Sequence, residues 1–201
     1  MLDKNDVLPT ISDNGPVMIE LGVGDRKRNT DAIGIDILDS PAVDIVGDAL
    51  EILKLIPSGS VKSISSFHVF EHLEDISAIL LQVERVLVSG GEMLTVVPHF
   101  SNPFFYSDPT HRKFFGLYTF SYYCSDKLFR RRVPGYVRSH DLELISVKLV
   151  FKSYPPRYFT HGFRKILQSV FNISNWMQEI YEDSFSHTVS CYEIKYTVRK
   201  K

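Results

Sequence analysis

The sequence is poor in cysteine. Its 201 residues contain only Cys124 and Cys191, which lie far apart and form no Cys-x-x-Cys pair. Neither a disulfide framework nor a cysteine-based zinc site is indicated, so we expect no metal site. Two unpaired cysteines are typical of a protein from a reducing compartment, and we therefore predict a cytoplasmic location.

The chain also lacks excess charge and long apolar runs. The formal net charge is −1 and the pI is near 6.7, which gives no general attraction to phosphate backbones, so we expect no nucleic-acid partner. No run of about 18 apolar residues occurs and the N-terminus has no secretory pattern, so we predict no transmembrane segment. With 44% hydrophobic residues, the chain is predicted to form one domain over 1–201.

The most informative stretch is an apolar run over 17–21 followed by Gly22 and Gly24. It predicts a buried strand that breaks into a tight turn. Glycine permits positive φ and has no Cβ, so this turn can bring backbone N–H groups close to a nucleotide-like ligand. Lys27 stands where the dinucleotide fingerprint has its third glycine, and Glu20 would repel a pyrophosphate. A nicotinamide dinucleotide is therefore disfavoured.

Two further predicted strands place carboxylates beside this turn. Asp36 lies near the end of 32–37, where an acid can accept hydrogen bonds from both hydroxyls of a ribose, and Asp48 ends 43–48. Successive strands that each deliver an acid to one sheet edge predict a site for an adenosine-bearing cofactor.

These segments resemble the class I S-adenosylmethionine-dependent methyltransferases. Residues 20–24 are similar to their first motif, Asp36 to their ribose-binding acid, and Asp48 with Ala49 to the pair that flanks adenine. The resemblance continues through 66–73 and 87–91, and so covers about 17–98. It implies S-adenosyl-L-methionine as cofactor, and Glu20 suits the positively charged end of that molecule. The implied cofactor-binding residues are Glu20, Gly22, Gly24, Asp36, Ile37, Asp48, Ala49 and His68.

The fold class predicted from the alternation of strands and helices is α/β, a doubly wound Rossmann-like sheet of seven strands, mostly parallel with an antiparallel last strand. Only twelve positions separate Gly24 from Asp36, so the first crossover helix is expected to be a turn or two at most. The predicted later strands cover 61–68, 92–97, 142–154 and 189–199. The predicted helices cover 50–56, 73–88 (stopped by Gly90 and Gly91), 117–129 and 163–177.

Residues 99–140 are rich in aromatic side chains and are predicted to form an acceptor-binding or lid insertion. Within it, the sequence Asp-Pro-Thr-His-Arg at 108–112 predicts that Asp108 orients His111 as a general base while Arg112 holds an anionic group. The alternative is that Asp108 only caps a turn. This segment resembles one found in small methyltransferases that are encoded with glycan-assembly enzymes.

Other candidates lie near predicted strand ends. His99 is a second candidate catalytic residue, and His72 and Tyr106 join Arg112 as candidate substrate-binding residues. Glu71 is expected to stabilise the N-terminus of the following helix. The amphipathic pattern over 163–177 predicts a helix that packs in the core or at a homodimer contact. Contact with a membrane surface is the alternative.

The leading hypothesis is a methyltransferase that O-methylates a sugar or other small acceptor in surface polysaccharide biosynthesis. One alternative is a non-catalytic cofactor-binding or scaffold module that partners a glycan-assembly enzyme. An NAD-dependent oxidoreductase is a third and weaker one.

Overall fold

In a computed structural model of the chain, residues 1–11, 15–135 and 141–201 are described. Among them a single mixed sheet is the organising element. Its strands in chain order are β1 (Leu2–Asp3), β2 (Val17–Leu21), β3 (Ile33–Asp36), β4 (Ile45–Val46), β5 (Val61–Phe67), β6 (Leu87–Pro98), β7 (Ser125–Asp126), β8 (Leu142–Val150) and β9 (Glu193–Lys200). The helices are α1 (Val7–Thr10), α2 (Ala49–Leu55), α3 (Ile76–Val86), α4 (Tyr158–Phe171) and α5 (Asn175–Ile180).

The strand order across the sheet is β1-β4-β3-β2-β5-β6-β9-β8-β7. Strands β4, β3, β2, β5 and β6 pair in parallel, and β9 runs antiparallel to both β6 and β8. The predicted α/β class, with its antiparallel last strand, is confirmed. All seven predicted strands form, and the two additional ones, β1 and β7, are two residues long.

The chain runs outward from β2 to β3 and β4 and then returns to β5 on the other side of β2. The sheet therefore has its topological switch point between β2 and β5, where ligands of such sheets bind beyond the carboxyl ends of the strands. The predicted cofactor motifs all follow strands at this edge.

Helix α3 shows why the local sequence folds as it does. Asp75 caps its N-terminus by accepting a hydrogen bond from Ala78 N at 3.0 Å, and apolar side chains at helical spacing bury one face. The predicted stop at Gly90 and Gly91 is wrong, because β6 already begins at Leu87 and runs through both glycines. The capping role predicted for Glu71 is also wrong, since Asp75 performs it.

The predicted helix over 117–129 does not form. The segment contains one 3-10 turn, Phe120–Tyr122, followed by β7. Its apolar side chains reach the core without a helix: Leu117, Phe120, Cys124 and Phe129 are all buried. Burial of each side chain in turn outweighs the helical preference of the segment.

The predicted helix over 163–177 is two helices, α4 and α5, and α4 exposes much of its apolar face. Phe159 is 91% exposed, and Phe163 and Ile166 are 54% and 62% exposed; Ile173, between the two helices, is 75% exposed. Within the described parts of the chain, no helix combines the length and the hydropathy that crossing a bilayer requires.

Candidate active site

The glycine turn after β2 adopts the strained conformation that its sequence predicts. Gly22 has φ +70° and Gly24 has φ +60°, a region that favours glycine. A Cβ on Gly22 would lie 2.0 Å from Val69 Cγ2, so this glycine lets the turn after β5 pack closely. A Cβ on Gly24 would meet nothing within 4 Å. Gly24 therefore lies on the open side of the turn, where a ligand can approach the backbone.

Asp36 is half-buried at the end of β3 and faces the glycine turn. Its carboxylate accepts hydrogen bonds from Gly24 N at 2.8 Å and from Leu38 N at 2.9 Å. Ile37 and Leu38, which follow it, are 73% and 68% exposed. The edge thus combines an anchored carboxylate with an uncovered apolar surface, as an adenosine moiety requires.

The Glu20 carboxylate bonds to the protein backbone, whereas the sequence predicted a contact with the cofactor. It is 1% exposed, and its carboxylate accepts hydrogen bonds from the backbone N–H groups of Arg28 and Asn29, at 3.0 Å each. The short connection between β2 and β3 contains no helix, as expected, and Glu20 satisfies its backbone donors instead. The carboxylate holds the turn from inside rather than facing the cofactor side.

Asp48 and Ala49 begin α2. Asp48 is exposed, and one of its carboxylate oxygens caps the helix by accepting from Glu51 N at 3.1 Å. Ala49 is half-buried beside it. Together with open Gly24, Asp36 and exposed Ile37, these residues fit an adenosine-containing cofactor.

His68 is the link between the glycine turn and the rest of the edge. It follows β5 with φ +56° and is bonded on both sides: Nδ1 lies 3.1 Å from Glu71 Oε1, and Nε2 lies 3.1 Å from Glu193 Oε1. Hydrogen bonds to Glu193 and then Glu71 raise the pKa of His68 to about 9, against the opposing effect of burial. Lys152 Nζ lies 2.6 Å from Glu193 Oε1. His68 is therefore a charged bridge between two carboxylates.

A second polar cluster adjoins this bridge. The 3-10 turn Phe70–His72 carries Glu71 and His72, and Arg112 N donates to Glu71 O at 2.8 Å, which fixes the 108–112 segment against that turn. The His72 and His111 ring centroids are 4.9 Å apart.

His111 and Asp108 meet as predicted, but with a different geometry. Asp108 Oδ2 lies 3.6 Å from His111 Nε2, while His111 Nδ1 donates to the carbonyl of Phe105 at 2.8 Å. The ring is therefore oriented by the carbonyl, and Nε2 is the nitrogen on the side of Asp108. The Thr110 hydroxyl and backbone N–H hold the pKa of the Asp108 carboxyl below its usual range.

Three predicted residues lie apart from this cluster. His99 is fully buried, with Nδ1 accepting from Ser101 N at 3.1 Å and Nε2 3.3 Å from Glu182 Oε2, so we leave it out of the proposed catalytic set. The Arg112 guanidinium pairs with Glu74 at the surface. Tyr106 is 65% exposed, and its hydroxyl donates to Phe100 O at 2.8 Å.

A cavity of about 100 Å³ lies at the same sheet edge, on the side of β8 and β9. Aromatic and basic side chains line it, among them Phe104, Lys152, Tyr154, Arg157 and Tyr192. Sequence reasoning missed Lys152 and Glu193, because each lies in or next to a strand whose pattern resembles that of any half-buried strand. Nothing in that pattern shows that Glu193 bonds to His68 or that Lys152 bonds to Glu193.

Comparisons with known proteins agree with this geometry. A family model described as a methyltransferase domain matches residues 19–95. No curated protein matches the sequence.

Solved structures share the fold at low sequence identity. A SAM-dependent methyltransferase from Archaeoglobus fulgidus is 15% identical with a TM-score of 0.56, and the alignment covers 98% of this chain and 92% of that one. A candidate sarcosine dimethylglycine methyltransferase from Galdieria sulphuraria is 15% identical with a TM-score of 0.54, covering 96% and 82%. A candidate methyltransferase from Bacillus halodurans is 12% identical with a TM-score of 0.52, covering 96% and 98%.

At these identities the solved structures establish the fold alone. The matched methyltransferase domain confirms the resemblance drawn from residues 17–98, and with it the enzyme class and the S-adenosyl-L-methionine cofactor.

Proposed function

We propose that this S-adenosylmethionine-dependent methyltransferase O-methylates a sugar or another small acceptor in surface polysaccharide biosynthesis. When bound, the cofactor supplies an electrophilic methyl group on a sulfonium. The chain then has to align the acceptor, exclude water and remove the acceptor proton. The observation that carries the proposal is the position of His111: its Nε2 lies 3.6 Å from Asp108 Oδ2, while its Nδ1 donates to the carbonyl of Phe105.

The residues proposed to hold the cofactor are those around the open glycine turn. Gly24 offers backbone without a Cβ, Asp36 and Asp48 offer carboxylates to hydroxyl and amino groups, and exposed Ile37 offers an apolar contact. His68 lies between this turn and the acceptor side. Glu20 and Gly22 act indirectly, by holding the turn.

In the proposed proton transfer His111 is the base. Its Nδ1 proton is committed to Phe105 O, so Nε2 is the atom that accepts the acceptor proton. Asp108 then stabilises the imidazolium that forms, which is the role that its depressed pKa allows. His72, within this cluster, and Tyr106, outside it, are proposed as acceptor contacts.

The cavity beside β9 supports a sugar-type acceptor. The rings of Tyr154 and Tyr192 form an edge contact with centroids 5.6 Å apart, and Phe104 lies 6.3 Å from Tyr192. Aromatic rings of this kind stack on sugar faces, and Arg157 at the rim suits an anionic substituent. With Arg112 paired to Glu74, Arg157 takes over the anion-binding role proposed from the sequence.

A scaffold module that binds the cofactor without turnover is the second candidate. The short connection between β2 and β3 favours this candidate. It contains turns and no helix, whereas a longer crossover would cover the cofactor. A scaffold would bind S-adenosylhomocysteine but methylate nothing.

The test has two parts. Calorimetry with S-adenosylhomocysteine, with NAD as the comparison ligand, measures the cofactor site. Mass spectrometry on a panel of nucleotide sugars and oligosaccharides then detects the mass of one added methyl group. Binding without any methylated product across the panel would favour the scaffold, and binding of NAD instead would overturn the proposal.

Two further parts of the proposal concern assembly and location. A homodimer is supported by the exposed apolar face of α4, whose neighbouring cations are already engaged: Arg164 donates to Ser190 O and Lys165 to Gln168. An apolar face whose own cations, Arg164 and Lys165, are engaged within the chain suits a second copy better than anionic lipid. The cytoplasmic location expected from the sequence is retained in the proposal.

A further inference from the structure

We propose that Glu71, His72 and His111 bind one divalent transition-metal ion. Each offers one ligand atom, and these three atoms lie within 4.8 Å of one another. The prediction of no metal site considered only cysteine spacing, whereas this cluster combines two imidazoles and a carboxylate that are 40 positions apart at most in the sequence.

The carboxylate has an oxygen without a partner. Glu71 is 0% exposed, and its Oε1 lies 3.1 Å from His68 Nδ1. Its Oε2 is buried and has no hydrogen-bond partner among the described residues. A buried carboxylate oxygen without a donor costs free energy, so it needs a proton, an ion or a donor to satisfy it.

Both histidines present the nitrogen that a metal requires. The Phe105 carbonyl can only accept, so His111 Nδ1 carries a proton and Nε2 is the ring nitrogen left for a ligand bond. The Thr110 hydroxyl donates to Asp108 Oδ1 at 2.6 Å, so its oxygen accepts from His72 Nδ1 at 2.9 Å, which leaves Nε2 of His72 as the ring nitrogen for a ligand bond as well.

This pattern is the usual support of metal-binding histidines. Such residues donate the second ring N–H to a carbonyl, hydroxyl or carboxylate, which fixes the ring and its tautomer. The donor set, two imidazole nitrogens and one carboxylate oxygen, suits zinc or ferrous iron with an open coordination position. Magnesium and calcium prefer oxygen ligands and fit this set poorly.

The three ligand atoms have to move closer together to bind one metal ion. Ligands about 2.0–2.1 Å from a tetrahedral zinc lie about 3.3 Å apart, so atoms up to 4.8 Å apart have to approach by about 1.5 Å at most. His72 and His111 are half-buried rather than packed in the core, so rotation of their rings provides this movement.

The metal changes the role of His111. With a metal bound, the Nε2 lone pair of His111 would be engaged in coordination, so His111 would act as a ligand. In the metal-free protein His111 is the base proposed above. Metal binding itself does not depend on which acceptor is methylated.

The experiment measures binding directly. EDTA-treated, dialysed protein is titrated with ZnCl2 by calorimetry, with CoCl2 as a spectroscopic probe and MgCl2 as the comparison. We expect one zinc per chain, a cobalt visible absorption band and no magnesium binding. His72→Gln and His111→Gln should each weaken zinc binding by more than about 100-fold, and Thr110→Ala by about 10- to 100-fold.

The control is His187→Gln, an exposed histidine outside the cluster, which should bind zinc as the wild type does. Thermal unfolding followed by circular dichroism verifies that each variant is folded. The test uses the histidine variants because Glu71→Gln changes a fully buried group and could disturb folding. Absence of saturable zinc uptake, or unchanged uptake in both histidine variants, would overturn the inference. S-adenosylhomocysteine binding to the EDTA-treated protein is measured in parallel, so that loss of the cofactor site is recognised separately from loss of the metal site.

Discussion

The backbone N–H of Gly24 donates a hydrogen bond to Oδ2 of Asp36 at 2.8 Å. One carboxylate therefore closes the glycine turn, and in the proposed cofactor site the same carboxylate binds the ribose. Because Oδ1 is held by Leu38 N, the orientation of Asp36 is set before any ligand binds. Preorganisation of this kind lowers the entropy cost of binding.

Asp36→Ala should weaken S-adenosylhomocysteine binding by about 1–3 kcal/mol, since it removes a charge-assisted acceptor and loosens the turn. Calorimetry measures the effect. Asp31→Ala, which removes an exposed carboxylate from the same connection, should leave the affinity unchanged. Equal affinity of the Asp36 variant and the wild type would contradict the placement of the ribose.

Gly24→Ala and Gly59→Ala form a matched pair. Both glycines have positive φ, +60° and +64°, and a Cβ on either would meet nothing within 4 Å. Each substitution should therefore cost about 1–2 kcal/mol of folding stability, measured by thermal unfolding. Only Gly24→Ala should also lower S-adenosylhomocysteine affinity. A similar affinity loss in both variants would show that Gly24 does not face the cofactor.

The charge on His68 should make stability depend on pH. Its pKa is about 9 in the folded chain against 6.5 for a free histidine, so the folded state binds the proton more tightly. This stabilisation is complete below pH 6.5 and is lost as the pH rises through about 9.

Urea unfolding of the wild type and His68→Gln in EDTA should therefore show a difference in stability that narrows over this range. An NMR titration of the His68 ring gives the pKa itself. A His68 that titrates at the free-histidine value would rule out the two-carboxylate bridge.

His111→Gln should lower turnover by about 10²- to 10⁴-fold, the usual loss on removing a general base, while S-adenosylhomocysteine affinity is kept. His187→Gln is again the control for turnover. If turnover and cofactor affinity fell together, His111 would be structural rather than catalytic.

Replacing Phe159 and Ile166 by Glu should abolish the proposed homodimer, because both side chains are largely exposed on α4. Light scattering should give twice the chain mass for the wild type and the chain mass for the double variant. A monomeric wild type that binds anionic vesicles would instead favour the membrane contact.

Whether an element of this structure can be predicted from the sequence depends on how far apart in the chain the interacting residues lie. Segments such as β2, β3 and α3 are visible in the sequence because alternating or helical apolar patterns reflect burial of one face. The positive φ at Gly22 and Gly24 is likewise local. The failed helix over 117–129 shows the limit, since apolar residues there are drawn into the core one by one.

Local sequence patterns were enough to predict the succession of strands along the chain, the glycine turn and the acids that follow the strands. Each of these depends on residues only a few positions apart. The tertiary structure alone decided what each side chain faces. It buried His99 against Glu182, turned Glu20 inward, and brought His111 beside Glu71. The physical reason is that a side chain's partner is set by packing between distant segments, and no local pattern records which segments those are.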